Sequence, residues 1–294
     1  METELDLPPV QALLREFAER HHLNAAELIE RERVAIQATS LANIVLKRGY
    51  VQVDDRALAD PAVGLLLNML DRNFEHAEAG IVVFVSGCGS SAEVIARAAV
   101  ESSLNIRYIL AGDRAARLQA YFRYYLDGVE RQARNWRAQI GGLGKADFDI
   151  HTGAIDRRLA ANATMRTVVD ALGSAGAERW PASIEERFKA VGESLDYRTF
   201  YARMSSETHA DAEETLRYFV GRLQDSEDLL QAMALETVWT TRLYTHYAVS
   251  HFVRAALAYA HSYSLQGVEG LLRGQAAEVE RELIDISAHI GAGI

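Results

Sequence analysis

One short segment of this chain, Tyr201-Ala-Arg-Met-Ser-Ser-Glu-Thr-His209, holds residue types whose spacing could do chemistry. Arg203 stands six positions before His209. A guanidinium is permanently charged and can grip a phosphate at two points, stabilising the charge that builds on phosphorus in a transition state. An imidazole titrates near neutrality and can take a proton from a ribose 2′-hydroxyl or return one to a leaving oxygen. On one straight helix an offset of six sets two side chains about 120° apart, so a shared pocket requires a bend between them. Ser205, Ser206 and Asp211 favour that bend, and Asp211 with Glu214 has the pattern of a capping box. A helix starting after Asp211 would aim its N-terminal dipole at the same anion. A second reading stays open on the residues alone. Arg203 has Glu207 four positions on, with Asp196 and Thr199 behind it, which also describes a solvated ion-pair face.

The elements that must position this segment are helical. The four prolines, Pro8, Pro9, Pro61 and Pro181, leave long tracts in which apolar residues recur at three- and four-residue intervals. Helices are expected over Val10 to Arg20, Ala25 to Lys47, Pro61 to Phe74, and Ser90 to Leu110. Asp113 reads as the N-cap of a helix that Gly141-Gly-Leu-Gly144 stops, and Pro61 suits a first helical position. Further helices are expected over Thr152 to Leu172, from Trp180-Pro181 through Val191, from Ser194 to the Arg203 segment, and from Asp211 through Leu223. Residues 222–266 contain neither glycine nor proline and imply one or two long core helices, which Gly267 divides from a last one over Val268 to Ile290. The expected fold is an all-α helical bundle over residues 61–294 with an N-terminal helical extension over residues 1–60.

Other clusters weigh against themselves. Ile81 to Ser91 superficially resembles a strand feeding a glycine-rich phosphate turn, but it lacks the P-loop lysine and the third dinucleotide glycine. A buried helix with small residues fits it better. Arg97 and Glu101 are four apart on the helix that carries Arg107, which describes an intrahelical ion pair or a buried brace that positions the Arg203 segment. Tyr121, Tyr124 and Tyr125 could stack on bases, although an aromatic stripe at helical spacing is more often core. His246, His251 and His261 share a helix with Glu236, but His246 and His251 are five apart and that helix carries no Glu-x-x-His pair. No metal and no cofactor are expected.

The 41 acidic against 31 basic residues give a net charge of -10, which argues against a broad basic surface for duplex nucleic acid while allowing a local cationic pocket. The lone Cys88 excludes an intrachain disulfide and a thiolate zinc cluster and fits a reducing cytoplasm. The acidic N-terminus has no secretory pattern, and the most apolar run, Ala79 to Val85, is too short to span a bilayer, so a cytoplasmic protein without membrane association is expected.

The Arg-x5-His arrangement inside an all-helical chain resembles the motif of the HEPN superfamily. The wider pattern is similar to one of its bacterial branches, which combines an Arg-x3-Glu helix, a tyrosine-rich helix and a Ser-x-x-x-His segment. Here these match Arg97 and Glu101, Tyr121 to Tyr125, and Ser205 to His209, over roughly Asp60 to Ser262. The resemblance implies a metal-independent endoribonuclease of defence or toxin type, working as a homodimer on RNA, with an antitoxin or other protein partner. Arg203 would be the phosphate ligand and His209 the acid/base group, with Arg97, Glu101, Tyr201 and Ser206 supporting. Active members commonly place a polar residue after the arginine, where this chain has Met204. The alternative is therefore a catalytically silent helical module that binds a nucleotide, RNA or a protein.

Overall fold

The computed structural model describes residues 8–20, 26–50, 60–172, 178–207, 212–223 and 227–291, and among them there are helices and no strand. The chain starts with α1 (Val10–Arg20), α2 (Ala26–Arg31) and α3 (Arg33–Tyr50). The single helix expected from Ala25 to Lys47 is interrupted at Glu32, whose side chain is buried in the core. In α4 (Pro61–Val85) the Asp60 carboxylate accepts from the Ala62 N–H at 2.9 Å, and Pro61 has no N–H left to satisfy. A turn at Ser86 to Cys88 leads into α5 (Gly89–Leu110), and Gly87 holds φ at +82°, where a side chain would be strained. The glycine-rich stretch is thus a helix-to-helix turn.

Asp113 caps α6 (Arg114–Gln139) by accepting from the Ala116 N–H at 3.1 Å. A short 3-10 turn over Ile140–Gly142 then leads to α7 (Lys145–Ala171). Next come α8 (Ile184–Ala190), a single turn α9 (Ser194–Asp196), a π-helical turn over Tyr197–Tyr201, and α10 (Ala202–Glu207). The chain closes with α11 (Ala212–Leu223), α12 (Glu227–Ser262) and α13 (Gln266–Gly291). The break before α13 falls at Ser264, which adopts the left-handed φ of 56°, rather than at the expected Gly267, which lies inside the helix.

Contacts group these helices into two compact units, one formed by residues up to Leu110 together with those from Ile184 onward, the other by Ala111–Ser183. In the first, α12 is the central helix, packed on α3, α4, α5 and α13, and every residue from Thr241 to Val253 is buried. A helix covered all round must find partners for its own polar groups. So Thr241 donates to Glu93 at 2.6 Å and Thr245 to the Thr241 carbonyl at 2.9 Å. The helices α1 to α3 belong to this same unit, where α3 also packs on α13. The approach is close: a Cβ added to Gly49 would lie 2.8 Å from Val268. One apolar cluster joins Ala96, Val100 and Leu104 of α5 to Phe188, Tyr201, Met204 and Tyr247. Each large side chain fully buried there contributes about 1.5–3 kcal/mol.

The second unit is a helix pair. Ala133, Ile140 and Ile155 form its apolar centre, and Gln119 of α6 donates to the Val169 carbonyl at 3.0 Å. Tyr121 packs against Trp180 with ring centroids 4.9 Å apart, whereas Tyr124 and Tyr125 are exposed, so the tyrosine stripe is only partly core.

Candidate functional site

The arginine, glutamate and tyrosine singled out by the sequence meet in space. Arg97 and Glu101 sit one turn apart on α5, and Tyr201 ends the π turn 104 positions beyond Arg97. A π turn carries one more residue than an α turn, which rotates the following side chains by about 100° about the axis. With that offset, Tyr201 and Met204 are buried while Arg203 is exposed. Arg97 Nε donates to Glu101 Oε1 at 3.0 Å and to Tyr201 Oη at 3.2 Å, and the Tyr201 hydroxyl donates to the same Glu101 oxygen. The Arg97 guanidinium also lies 5.5 Å from the centre of the Tyr201 ring. Burial, and then the neighbouring Glu101 carboxylate, push the Tyr201 hydroxyl up to about 12, against the pull of Arg97. This phenol therefore stays protonated near neutrality and acts as a hydrogen-bond donor rather than as a base. The brace is not sealed, because a quarter of the Arg97 side chain and 38% of that of Glu101 remain exposed.

A second polar centre lies on the same α12 that backs this cluster. Tyr247, His251 and Arg254 are spaced by four and three positions, which places them on one helix face. Arg107 of α5 binds both oxygens of Glu193 at 2.7 Å, the two-pronged geometry that suits a guanidinium and a carboxylate. Arg254 reaches Glu193 at 3.0 Å, Glu280 of α13 at 3.1 Å and Asp196 at 3.7 Å. Burial raises the Asp196 carboxyl, and so does Glu193, while Arg254 and Arg107 oppose the rise. His251 is completely buried between the rings of Phe188 and Tyr247. Burial, followed by repulsion from Arg107 and Arg254, holds its imidazole well below the usual histidine range, so it is neutral.

Of the residues expected to act, Arg97, Glu101 and Tyr201 are brought together, and Arg203 is presented on the exposed side of α10. His209 and Asp211 lie outside the described residues, as does the side chain of Ser206, whose backbone belongs to α10. Asp196, expected as a neighbour of Arg203, turns to Arg254, and Thr199 donates to the Leu195 carbonyl at 3.0 Å. Glu193 is the residue that sequence reasoning missed. The face shared by Tyr247, His251 and Arg254 was the available signal, hidden because its partners come from several other parts of the chain. Among the described residues no helix is long and apolar enough to cross a membrane.

A family model matches residues 63–228, more than half of the chain, including α5, the π turn and α10. The chain belongs to DUF5677, a family of unknown function. The DUF5677 segment contains the whole Arg97–Glu101–Tyr201 cluster, Arg203 and Glu193, whereas His251 and Arg254 lie beyond its C-terminal limit. No curated protein and no solved structure matches the chain.

Proposed function

We propose that this DUF5677 chain is an HEPN-like protein that cleaves RNA without a metal ion, as a homodimer of defence or toxin type in the cytoplasm. The observation that supports this most is the meeting of Arg97, Glu101 and Tyr201, the side chains that the resemblance assigns as support, directly before the helix that exposes Arg203. An exposed guanidinium can pair with a phosphate, and the brace beside the start of α10 gives that helix a fixed footing. In the reaction, the ribose 2′-oxygen attacks the adjacent phosphorus as His209 takes its proton. The bond from phosphorus to the 5′-oxygen breaks, that oxygen receives a proton from an acid group, and a 2′,3′-cyclic phosphate remains. Arg203 stabilises the charge on the phosphoryl oxygens. A homodimer would set a second copy of the pair beside the first, supplying base and acid together.

The test is cleavage of single-stranded RNA in chelator by the wild type, Arg203→Ala and His209→Ala. The expected result is cyclic phosphate ends from the wild type and a drop of at least about a hundredfold in each variant. Intact RNA with the wild type, or equal cleavage by both variants, would end the enzymatic reading.

One observation favours a silent binding module instead. Met204, where active members place a polar residue, is completely buried in the apolar cluster with Tyr201, and the overall charge is acidic. That module would retain a nucleotide, RNA or antitoxin-like protein through the same surface. It predicts RNA binding that Arg203→Ala weakens and His209→Ala leaves unchanged, without cleavage.

A further inference from the structure

A neutral imidazole carries one N–H to donate and one lone pair to fill, and in a protein interior both are normally used. His251 uses neither. It is 0% exposed, and neither Nδ1 nor Nε2 has a hydrogen-bond partner among the described residues. The Tyr247 hydroxyl, one turn earlier on the same face of α12, is also buried without a partner. Two unsatisfied polar groups side by side point to something that completes them.

A ring nitrogen of His251 lies near two carboxylates. One nitrogen of His251 and one oxygen each of Glu193 and Asp196 all lie within 4.8 Å of one another. We propose that Glu193, Asp196 and His251 hold a divalent first-row metal ion, with Zn2+ the ion of best fit. One nitrogen and two oxygens are a donor set of intermediate softness, better suited to zinc and its neighbours than to calcium or magnesium, which prefer all-oxygen shells. Three protein ligands leave a fourth zinc position for water. Metal-bound atoms in a tetrahedron about 2.0–2.2 Å from zinc stand roughly 3.5 Å apart, so the three side chains have to close in by no more than about 1.3 Å when the ion enters. The imidazole is already in the form that ligates, because burial keeps it neutral.

Two guanidiniums face this centre and set the terms. Arg107 and Arg254 oppose Glu193, Asp196 and Glu280, which leaves one formal negative charge in excess. The ion displaces Arg254 from Glu193 and Asp196, and Arg254 retains Glu280 at 3.1 Å. Arg107 stays on Glu193. Because Glu193 and Asp196 flank the start of the segment that carries the π turn, Tyr201 and Arg203, a bound ion ties that segment to α12. The site differs from the RNA-cleaving surface and does not depend on it.

The experiment is calorimetric titration of the chelator-stripped full chain with Zn2+, paired with visible absorption of the Co2+-loaded protein. The expected result is one ion per chain, cobalt bands of a four- or five-coordinate site, and greater hydrogen-exchange protection over residues 194–207 with zinc. His251→Ala abolishes binding, and Asp196→Asn, which leaves the buried core intact, weakens it at least tenfold. His76→Ala, at an exposed histidine of α4, binds as the wild type does. Absence of stoichiometric binding by the wild type, or undiminished binding by a folded Asp196→Asn chain, would overturn the proposal and leave a water-filled polar pocket.

Discussion

The central helix α12 carries two polar centres built from the same ingredients, and they are finished differently. Around Arg242 the network is closed. Its Nε donates to both oxygens of Glu32 at 3.0 and 3.1 Å, and a terminal nitrogen serves Glu282 at 2.7 Å and the Arg31 carbonyl at 3.1 Å. Arg31 adds a bond to Glu32 at 2.9 Å, and His246 Nδ1 rests 3.0 Å from the Arg242 carbonyl. Only His246 Nε2 stays outside hydrogen-bonding geometry, 3.5 Å from Glu32. Around His251 both ring nitrogens and the Tyr247 hydroxyl are left over. A buried charge that is fully paired and bonded serves register and folding, while a centre with leftover groups has capacity for a ligand.

Removing Arg242 has the largest expected effect. Arg242→Ala leaves the buried Glu32 carboxylate with Arg31 alone, takes the donor from Glu282 and from the Arg31 carbonyl, and is expected to lower unfolding free energy by about 3–5 kcal/mol in urea titrations. The double change Glu32→Leu with Arg242→Met removes both charges and should recover most of that loss. A loss under about 1 kcal/mol for the single change would mean that the closed network is not what fixes α2 and α3 onto α12. At the open centre the matching change, Arg107→Ala, leaves Glu193 with Arg254 and is expected to lower stability by about 1.5–3 kcal/mol. Equal losses at the two centres would erase the distinction drawn between them.

The smallest effect concerns pH. Burial lowers the His246 imidazole despite the nearby Glu32, with Arg242 opposing its charge and Glu282 favouring it. A histidine whose folded value lies below its unfolded one contributes stability in full above about 6.5, and that stability is lost as pH falls through the folded value. His246→Gln should therefore show a shallower fall in melting temperature between neutral and mildly acidic solution than the wild type. Parallel curves would show that His246 does not report on the closed network.

Much of the helical framework was legible in the residues because helix signals are local. Pro61 and Asp113 were readable as starts, and α1 and α5 lie within a residue of the ranges that apolar spacing predicts. The exceptions have physical causes. Ser264 took the left-handed position in place of a glycine, and Glu32 broke a periodic stretch where its carboxylate enters the core. Of the candidate site, the pairing of Arg97 with Glu101 followed from a spacing of four. The junction with Tyr201 had no such rule, because a π turn changes the register of everything after it.

Residue types and local spacing were enough for an all-α chain, the starts at Pro61 and Asp113, and the pairs that lie one turn apart on a single helix, whereas the expected cap Ser194 lies inside its turn and the helix expected from Thr152 starts at Lys145. Those starts and pairs depend on neighbours within a few positions, whose geometry the backbone fixes. Which distant residues meet depends on packing. Glu32 and Arg242 are 210 positions apart, Arg97 and Tyr201 104, and Arg107 and Glu193 86. Such meetings are set by how α3, α5 and the segment before α10 pack on a helix buried on every side, which no local spacing specifies.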